Sequence, residues 1–169
     1  MNSVLTAWNQ ATEQSALTAI LACCGAARWA AAMAAARPIS TPESLYQTAD
    51  YIWSRMTEAD WLEAFACHPR IGDRRPAHAS AQSQSWSQQE QSSTASAAQR
   101  TLGRLTILNA QYEERFGFTY IVCATGKSAE EMLLILERRL SSDRATELKE
   151  AAEQQRQITH IRLKKWLGE

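Results

Sequence analysis

Glycine and proline divide this chain into helical segments, and their positions constrain the fold more than any other feature. The 169 residues contain only six glycines and four prolines, which fall where the helical pattern breaks. Gly25 ends an alanine-rich segment from Thr12, Pro38 stops the next segment, and Gly117 ends the longest one, from Ser87. Apolar residues recur with the period of a helix between these breaks. We therefore predict an all-α fold of seven to eight helices, with residues 1–169 in a single compact domain.

Residues that cap helices occur where these segments start, which supports the same division. A hydroxyl or acidic side chain at a helix start can accept a hydrogen bond from a free backbone N–H group. Such starts are found at Thr41 with Pro42, at Thr57 with Asp60, at Ser128 with Glu131, and at Ser142 or Asp143 for a last helix that runs to about Leu167.

Two segments lack the helical period. Residues 118–123 have the composition of a strand, but a single strand has no pairing partner, so we expect an extended or irregularly helical buried segment. Residues 69–86 are rich in serine, glutamine, alanine and arginine and form the longest predicted loop. Such a loop is either a binding loop or a disordered segment.

Charge and cysteine content narrow the class of protein. Acidic and basic residues balance at 18 each, so the chain has no net field to attract nucleic acid or an anionic membrane. A basic patch remains conceivable only at Arg162, Lys164 and Lys165, and the two lysines suit a solvated helix end. Residues 17–36 are too weakly apolar to span a bilayer. Four cysteines without a C-x-x-C pair or a secretory leader indicate reduced, mostly buried thiols and a cytoplasmic protein.

His68 is the first candidate site residue. Pro69 follows it directly, ends the preceding helix and fixes the direction in which the chain leaves. A side chain that titrates near neutral pH thereby gains a defined orientation. The structural alternative is a helix-ending histidine that is hydrogen-bonded to backbone.

Ser87, Glu90 and Gln91 form a second candidate group, at the start of the predicted long helix. Ser87 and Glu90 have the spacing of a capping box, which would make them purely structural. The first turn of a helix also offers free N–H groups to polar or anionic ligand atoms, and the Gln91 amide can both donate and accept. The group therefore also suits the binding of a polar heterocycle.

Arg162 lies near the middle of the apolar face of the last helix, whereas His160 and Lys164 project away from that face. A guanidinium group is almost never buried without an anionic or carbonyl partner. Arg162 therefore either forms a structural salt bridge, for instance with Glu90, or binds a ligand in a polar pocket.

The sequence contains no signature of a metal or cofactor site. The three histidines, His68, His78 and His160, include no pair at i, i+4 and no H-E-x-x-H motif, and His160 is expected to face solvent. No glycine-rich phosphate loop occurs. Cys67 and His68 do not form a catalytic dyad, because adjacent helical side chains diverge by about 100°. We expect no metal and no cofactor.

With these residues, the chain resembles the 2-oxo-4-hydroxy-4-carboxy-5-ureidoimidazoline (OHCU) decarboxylase family. The resemblance covers residues 29–163 in family order, and the order of the motifs makes it specific. The matching segments are Trp29, Arg37-Pro38, residues 60–65, His68-Pro69-Arg70-Ile71-Gly72, residues 87–91, Asn109 with Tyr112, residues 116–118, residues 121–124, residues 126–128 and Ile161-Arg162-Leu163. Residues 77–86 match no firm family pattern.

The resemblance implies an all-helical, cofactor-free homodimer that converts OHCU, a urate breakdown product, to (S)-allantoin. His68 matches the catalytic histidine, and Glu90 and Arg162 match the acid and the arginine of the site. Positions that match substrate contacts are Pro69, Ser87, Gln91, Ile121, Val122, Cys123 and Ala124. His68 is expected to relay the proton, Glu90 to bind the ureido N–H groups and orient His68, and Arg162 to hold the carboxylate or a ring carbonyl.

Two other functions remain open from the sequence. A helical binding module for ureide intermediates, or one that docks a partner enzyme, suits the apolar helix faces and the six tryptophans, and it predicts binding without turnover. A ureide amidohydrolase predicts release of ammonia or urea in place of CO2.

Overall fold

The computed structural model describes residues 2–71, 82, 85–86 and 99–169. Within these ranges the chain forms eight α-helices and no strand, which confirms the all-α class and the predicted helix count. The helices are α1 (Ser3–Gln10), α2 (Glu13–Cys24), α3 (Ala27–Ala35), α4 (Pro42–Trp53), α5 (Glu58–Ala66), α6 (Gln99–Phe116), α7 (Ala129–Arg139) and α8 (Arg144–Leu167).

The described residues fall into two compact units. The first contains the described residues up to 64 together with 156–169, and the second contains those from 65 to 155. The assignment of residues 1–169 to a single domain stays a prediction. None of the described helices has the length and apolarity needed to cross a membrane.

The predicted helix boundaries agree with the structure where it describes them. Gly25 and Gly117 adopt left-handed backbone angles, with φ of 90° and 80°, just after α2 and α6. Glycine is favoured there because it has no Cβ to clash. Thr41 caps α4, and Ser128 with Glu131 forms the capping box of α7. The predicted start at Ser87 lies outside the described residues.

Helix α1 is marked by neither glycine nor proline. Asn2 begins it through a side chain that accepts a hydrogen bond from the Leu5 N–H group, and Ala11 ends it in an extended conformation. The helix buries Leu5 and Trp8.

The core of the first unit is built around α2, α3 and α4. Trp29 is fully buried and donates a hydrogen bond from its indole N–H to the Ala49 carbonyl at 3.3 Å. Cys23 and Cys24 are buried at the end of α2. Of the four cysteines, none of which is in a disulfide, Cys123 is also buried and Cys67 is half-buried. The prediction that the thiols are mostly buried is confirmed, and their reduced state stays a prediction.

The core of the second unit is aromatic. Tyr112 and Phe116 of α6 contact Phe118, which in turn lies against Phe65 with ring centroids 5.5 Å apart. Phe118 begins the segment with strand composition. Residues 118–124 are neither helix nor strand and, Thr119 apart, they are buried, which confirms that the predicted irregular segment is buried and has no strand partner.

Candidate active site

His68 lies two residues beyond the end of α5. Its backbone N–H donates to the Phe65 carbonyl at 3.0 Å, as expected of a residue at a helix end. The half-buried imidazole ring is hydrogen-bonded to a side chain: its Nε2 atom lies 2.7 Å from the Oε1 atom of Gln155 in α8. The sequence analysis did not predict this partner.

The chain that leaves His68 is anchored to α6. After Pro69, the guanidinium of Arg70 forms a two-pronged ion pair with the Glu113 carboxylate, in which Nε lies 2.7 Å from Oε1. Ile71 is buried immediately after it. His68 is therefore held from three directions: by the end of α5, by Gln155 and by the anchored segment that follows Pro69.

The buried segment at residues 121–124 is held by side chains of α7 and α8. Arg139 donates from Nη1 to the Ile121 carbonyl at 2.6 Å, and Gln154 accepts the Cys123 N–H bond at 2.9 Å. Lys127 closes the segment with a bond from Nζ to the Cys123 carbonyl at 2.8 Å. Side-chain bonds thus replace the strand pairing that the composition of this segment suggests.

Arg139 belongs to a buried charged network. Its Nε donates to Glu147 Oε1 at 2.7 Å, and the Tyr112 hydroxyl donates to the same carboxylate. Arg139 and Glu147 are only 3% and 1% exposed, so each charge depends on the other. Burial raises the pKa of Tyr112 and that of Tyr120, and both phenols therefore remain protonated donors. Burial opposes the charge on Arg139, but the hydrogen bond with Glu147, together with the interactions with Tyr112 and Tyr120, outweighs burial and raises the pKa of Arg139.

Arg162 is 1% exposed and belongs to the first unit. This confirms its predicted position on the buried face of the last helix, where Ile158, one turn before it, is also buried. Burial raises the pKa of the Cys23 thiol, and the positive charge of Arg162 opposes that rise. Because Arg162 is buried, the conceivable basic patch is reduced to Lys164 and Lys165 at the end of α8.

The predicted site residues at the start of the long helix cannot be compared with the structure. Ser87, Glu90 and Gln91 lie outside the described residues, as do His78, Gly72 and most of the predicted loop. Whether Ser87 and Glu90 form a capping box or a ligand site is therefore still an expectation, and so is a salt bridge between Glu90 and Arg162.

The prediction that His160 faces solvent is wrong. Its ring stacks on Tyr46 with centroids 5.4 Å apart, and its Nε2 atom lies 2.7 Å from Oδ1 of Asp50. Only 26% of the side chain is exposed. The helical period places His160 away from the apolar face, but the first unit covers that side of α8 with polar residues of α4. Across the described ranges, no group of three or more potential metal ligands occurs.

Comparisons with known proteins agree with this architecture. A sequence model of the OHCU decarboxylase family matches residues 9–164. The chain is 31% identical to the 2-oxo-4-hydroxy-4-carboxy-5-ureidoimidazoline decarboxylase of Amia calva over 79% of its length and 77% of that protein. It is 34% identical to the uric acid degradation bifunctional protein TTL of Arabidopsis thaliana, over 85% of this chain but only 44% of the longer relative.

Solved structures show the same fold. A crystal structure of OHCU decarboxylase in the presence of (S)-allantoin superposes with a TM-score of 0.77 at 32% identity, over 94% of this chain and all of that one. A crystal structure of (S)-allantoin synthase superposes with a TM-score of 0.71 at 17% identity, over 96% of this chain and 53% of that one, which shows likeness of fold alone. The family model, the relatives and the 32%-identical structure indicate a decarboxylase, of the carboxy-lyase class. The chain belongs to the OHCU decarboxylase family.

Proposed function

We propose that this protein catalyses the cofactor-free decarboxylation of OHCU to (S)-allantoin and CO2 in urate degradation. One observation carries the proposal: His68 stands half-buried at the end of α5, with one ring nitrogen held by Gln155, in a chain whose residues 9–164 match the OHCU decarboxylase family. Such a residue is poised to exchange a proton with a bound substrate.

The substrate itself supplies the electron sink. Its carboxylate is attached to a carbon that also bears a hydroxyl group and adjoins a ring C=N bond. When the C–C bond to the carboxylate breaks, CO2 leaves and its electron pair forms a C=C bond to the ureido-bearing carbon. The π pair of the C=N bond moves to the ring nitrogen, which takes a proton from solvent, and an enamine-type intermediate results. A proton then adds to the carbon that bears the ureido group, and this step sets the stereocentre. The reaction needs no external carbanion stabiliser.

His68 relays the proton in this scheme. It takes the proton of the substrate hydroxyl, which becomes a carbonyl group, and delivers a proton to the carbon that bears the ureido group. A general acid–base group in this role is typically worth about 10²–10⁴-fold in rate. Pro69 next to it, and Ser87 and Gln91, contact the substrate according to the family pattern.

Glu90 and Arg162 keep the roles that the family pattern assigns. Glu90 accepts hydrogen bonds from the ureido N–H groups, and Arg162 holds the carboxylate or a ring carbonyl. Tight pairing with the departing carboxylate would stabilise the bound substrate and slow the reaction. The arginine therefore raises the rate only as far as it binds the transition state more tightly than the substrate.

The segment at Ile121, Val122, Cys123 and Ala124 binds the ring of the substrate. Its geometry supports this role, because the Ile121 carbonyl and the Cys123 N–H are already bonded to Arg139 and Gln154. Among the described residues, the backbone groups of Val122 make no hydrogen bond. A buried peptide group of this kind suits a polar heterocycle, because a buried donor or acceptor without a partner is costly.

Circular dichroism of the product tests the proposed function. Freshly generated OHCU is mixed with the wild-type protein, and the ellipticity of allantoin is followed. We expect rapid formation of one enantiomer, and His68→Ala is expected to slow it by about 10²–10⁴-fold. His160→Ala is the matched control, because this histidine is bonded to Asp50 in the first unit and has no role in the scheme.

Other outcomes point to other functions. Racemic allantoin at the spontaneous rate, with binding of the substrate, would identify a non-catalytic binding module. Release of ammonia or urea in place of CO2 would identify an amidohydrolase.

We also propose that the protein is a homodimer that acts in the cytoplasm. The support for both statements is the family resemblance, and the burial of three of the four cysteines is compatible with a reducing compartment. Fractionation of cells that express the protein tests its location.

A further inference from the structure

We propose that Gln155 is a positioning residue that fixes the tautomer of His68, so that Nδ1 is the nitrogen that exchanges the proton with the substrate. The inference deepens the proposed function and rests on it for its catalytic meaning.

The hydrogen bond between the two side chains assigns the ring protons. Oε1 of Gln155 lies 2.7 Å from Nε2 of His68, and an amide oxygen can only accept. Nε2 must therefore carry a hydrogen. A neutral imidazole has one N–H group, so Nδ1 carries the lone pair. General-base action on a substrate hydroxyl then falls to Nδ1.

Gln155 is well placed to hold this bond. Its side chain is fully buried in α8, one of few buried polar residues in the described part of the chain. Water competes little for such a bond, and a buried N–H group that loses its acceptor is costly. The bond therefore favours one tautomer and one ring orientation over the alternatives.

Gln154, the residue before Gln155, connects the same turn of α8 to the segment at residues 121–124. Gln154 accepts the Cys123 N–H bond at 2.9 Å and donates to Glu150 at 3.0 Å. Adjacent side chains on a helix diverge by about 100°. One turn of helix thus holds both the proposed proton relay and the proposed ring-binding segment.

An amide suits this position better than a carboxylate. A carboxylate beside Nε2 would stabilise the imidazolium form and raise the pKa of His68. The neutral amide orients the ring without placing a charge beside it.

Two substitutions separate orientation from folding. Gln155→Met keeps the length of the side chain but removes the acceptor, and we expect kcat to fall by about 10²-fold with KM little changed, since misplacement of a catalytic group has costs of this size. Gln155→Glu keeps an acceptor, so kcat recovers at high pH. The added charge moves the acid limb of the pH–rate profile upward by about 1–3 pH units. A merely structural role would not move this limb.

Nitrogen-15 NMR of histidine-labelled protein reads the tautomer directly, without substrate. We expect wild-type His68 to be the Nε2–H tautomer, and the signal in Gln155→Met to shift toward an average of both tautomers. Gln14→Met is the matched control, because this glutamine is exposed on α2 and lies outside the proposed site, so the His68 signal and the acid limb are expected to stay unchanged.

Three results would overturn the inference: an Nδ1–H tautomer in the wild type, a Gln155→Met protein with wild-type kcat, or a Gln155→Glu protein with an unmoved acid limb. A wild-type protein that has the Nε2–H tautomer but does not decarboxylate OHCU would instead overturn the proposed function, and would leave the tautomer assignment intact.

Discussion

At the scale of single residues, a functional residue can be recognised from the sequence when its neighbours in the chain are unusual. It is missed when its only signal is a contact with a residue far along the chain. His68 stands out because Pro69 follows it, and Arg162 stands out because it interrupts an apolar face. Gln155 lies in the polar run 153–157, which looks like a solvated helix surface. Its contact with His68 spans 87 positions in the chain, and no local pattern signals it.

The buried pair of Arg139 and Glu147 leads to a prediction at this scale. Glu147→Gln leaves the guanidinium buried without a charge partner, which is expected to lower the free energy of unfolding by about 3–5 kcal/mol. Glu137→Gln is the matched control, because Glu137 pairs with Arg104 at an exposed site, where an ion pair is worth about 1 kcal/mol or less. Urea unfolding measures both. Equal losses for the two variants would show that burial does not set the strength of the pair.

At the scale of elements, helix ends were predictable because their signals are local. Caps, glycine and proline act within one turn of the chain, and they locate the ends of α2, α4 and α7. The buried segment 118–124 is different, because its composition favours a strand. Only contacts with Arg139, Gln154 and Lys127 provide its hydrogen bonds, and these partners are distant or lie beyond its end.

The start of α5 leads to a prediction for pH dependence. Bonds from the Thr57 hydroxyl and backbone N–H lower the pKa of Asp60, and Arg28 adds to this effect against the opposing influence of burial. A lowered folded-state pKa contributes stability above the unfolded-state pKa, and that stability is lost as the pH falls through the folded-state pKa.

We therefore expect Asp60→Asn to lower the free energy of unfolding by about 1 kcal/mol at pH 7, and the difference from the wild type to vanish in acid. Urea titrations between pH 7 and pH 2 check this result. A difference that stays constant across this range would contradict a role for the ionised carboxylate.

At the scale of the whole molecule, composition excludes more than it identifies. Balanced charge argues against binding driven by net charge, and scarce glycine and proline favour helices. Neither feature indicates how chains associate, because an interface depends on which side chains the fold leaves on one surface.

The proposed homodimer is tested at this scale. Sedimentation velocity or light scattering of the purified protein is expected to give twice the mass of one chain at micromolar concentration. A single-chain mass that persists as the concentration rises would contradict the dimer. The activity assay on the same sample shows whether turnover depends on association.

The sequence by itself determined the helical class and the ends of most helices, because short-range sterics and capping govern both, and it marked the candidate histidine through the proline that follows it. Tertiary structure alone decided that Gln155 binds the His68 ring, that His160 is covered by Tyr46 and Asp50, and that Arg139 holds Ile121. Each of these contacts joins residues far apart in the chain. Such contacts arise only when helices pack, and the periodicity of a single helix reports which face is apolar, not which polar groups meet it.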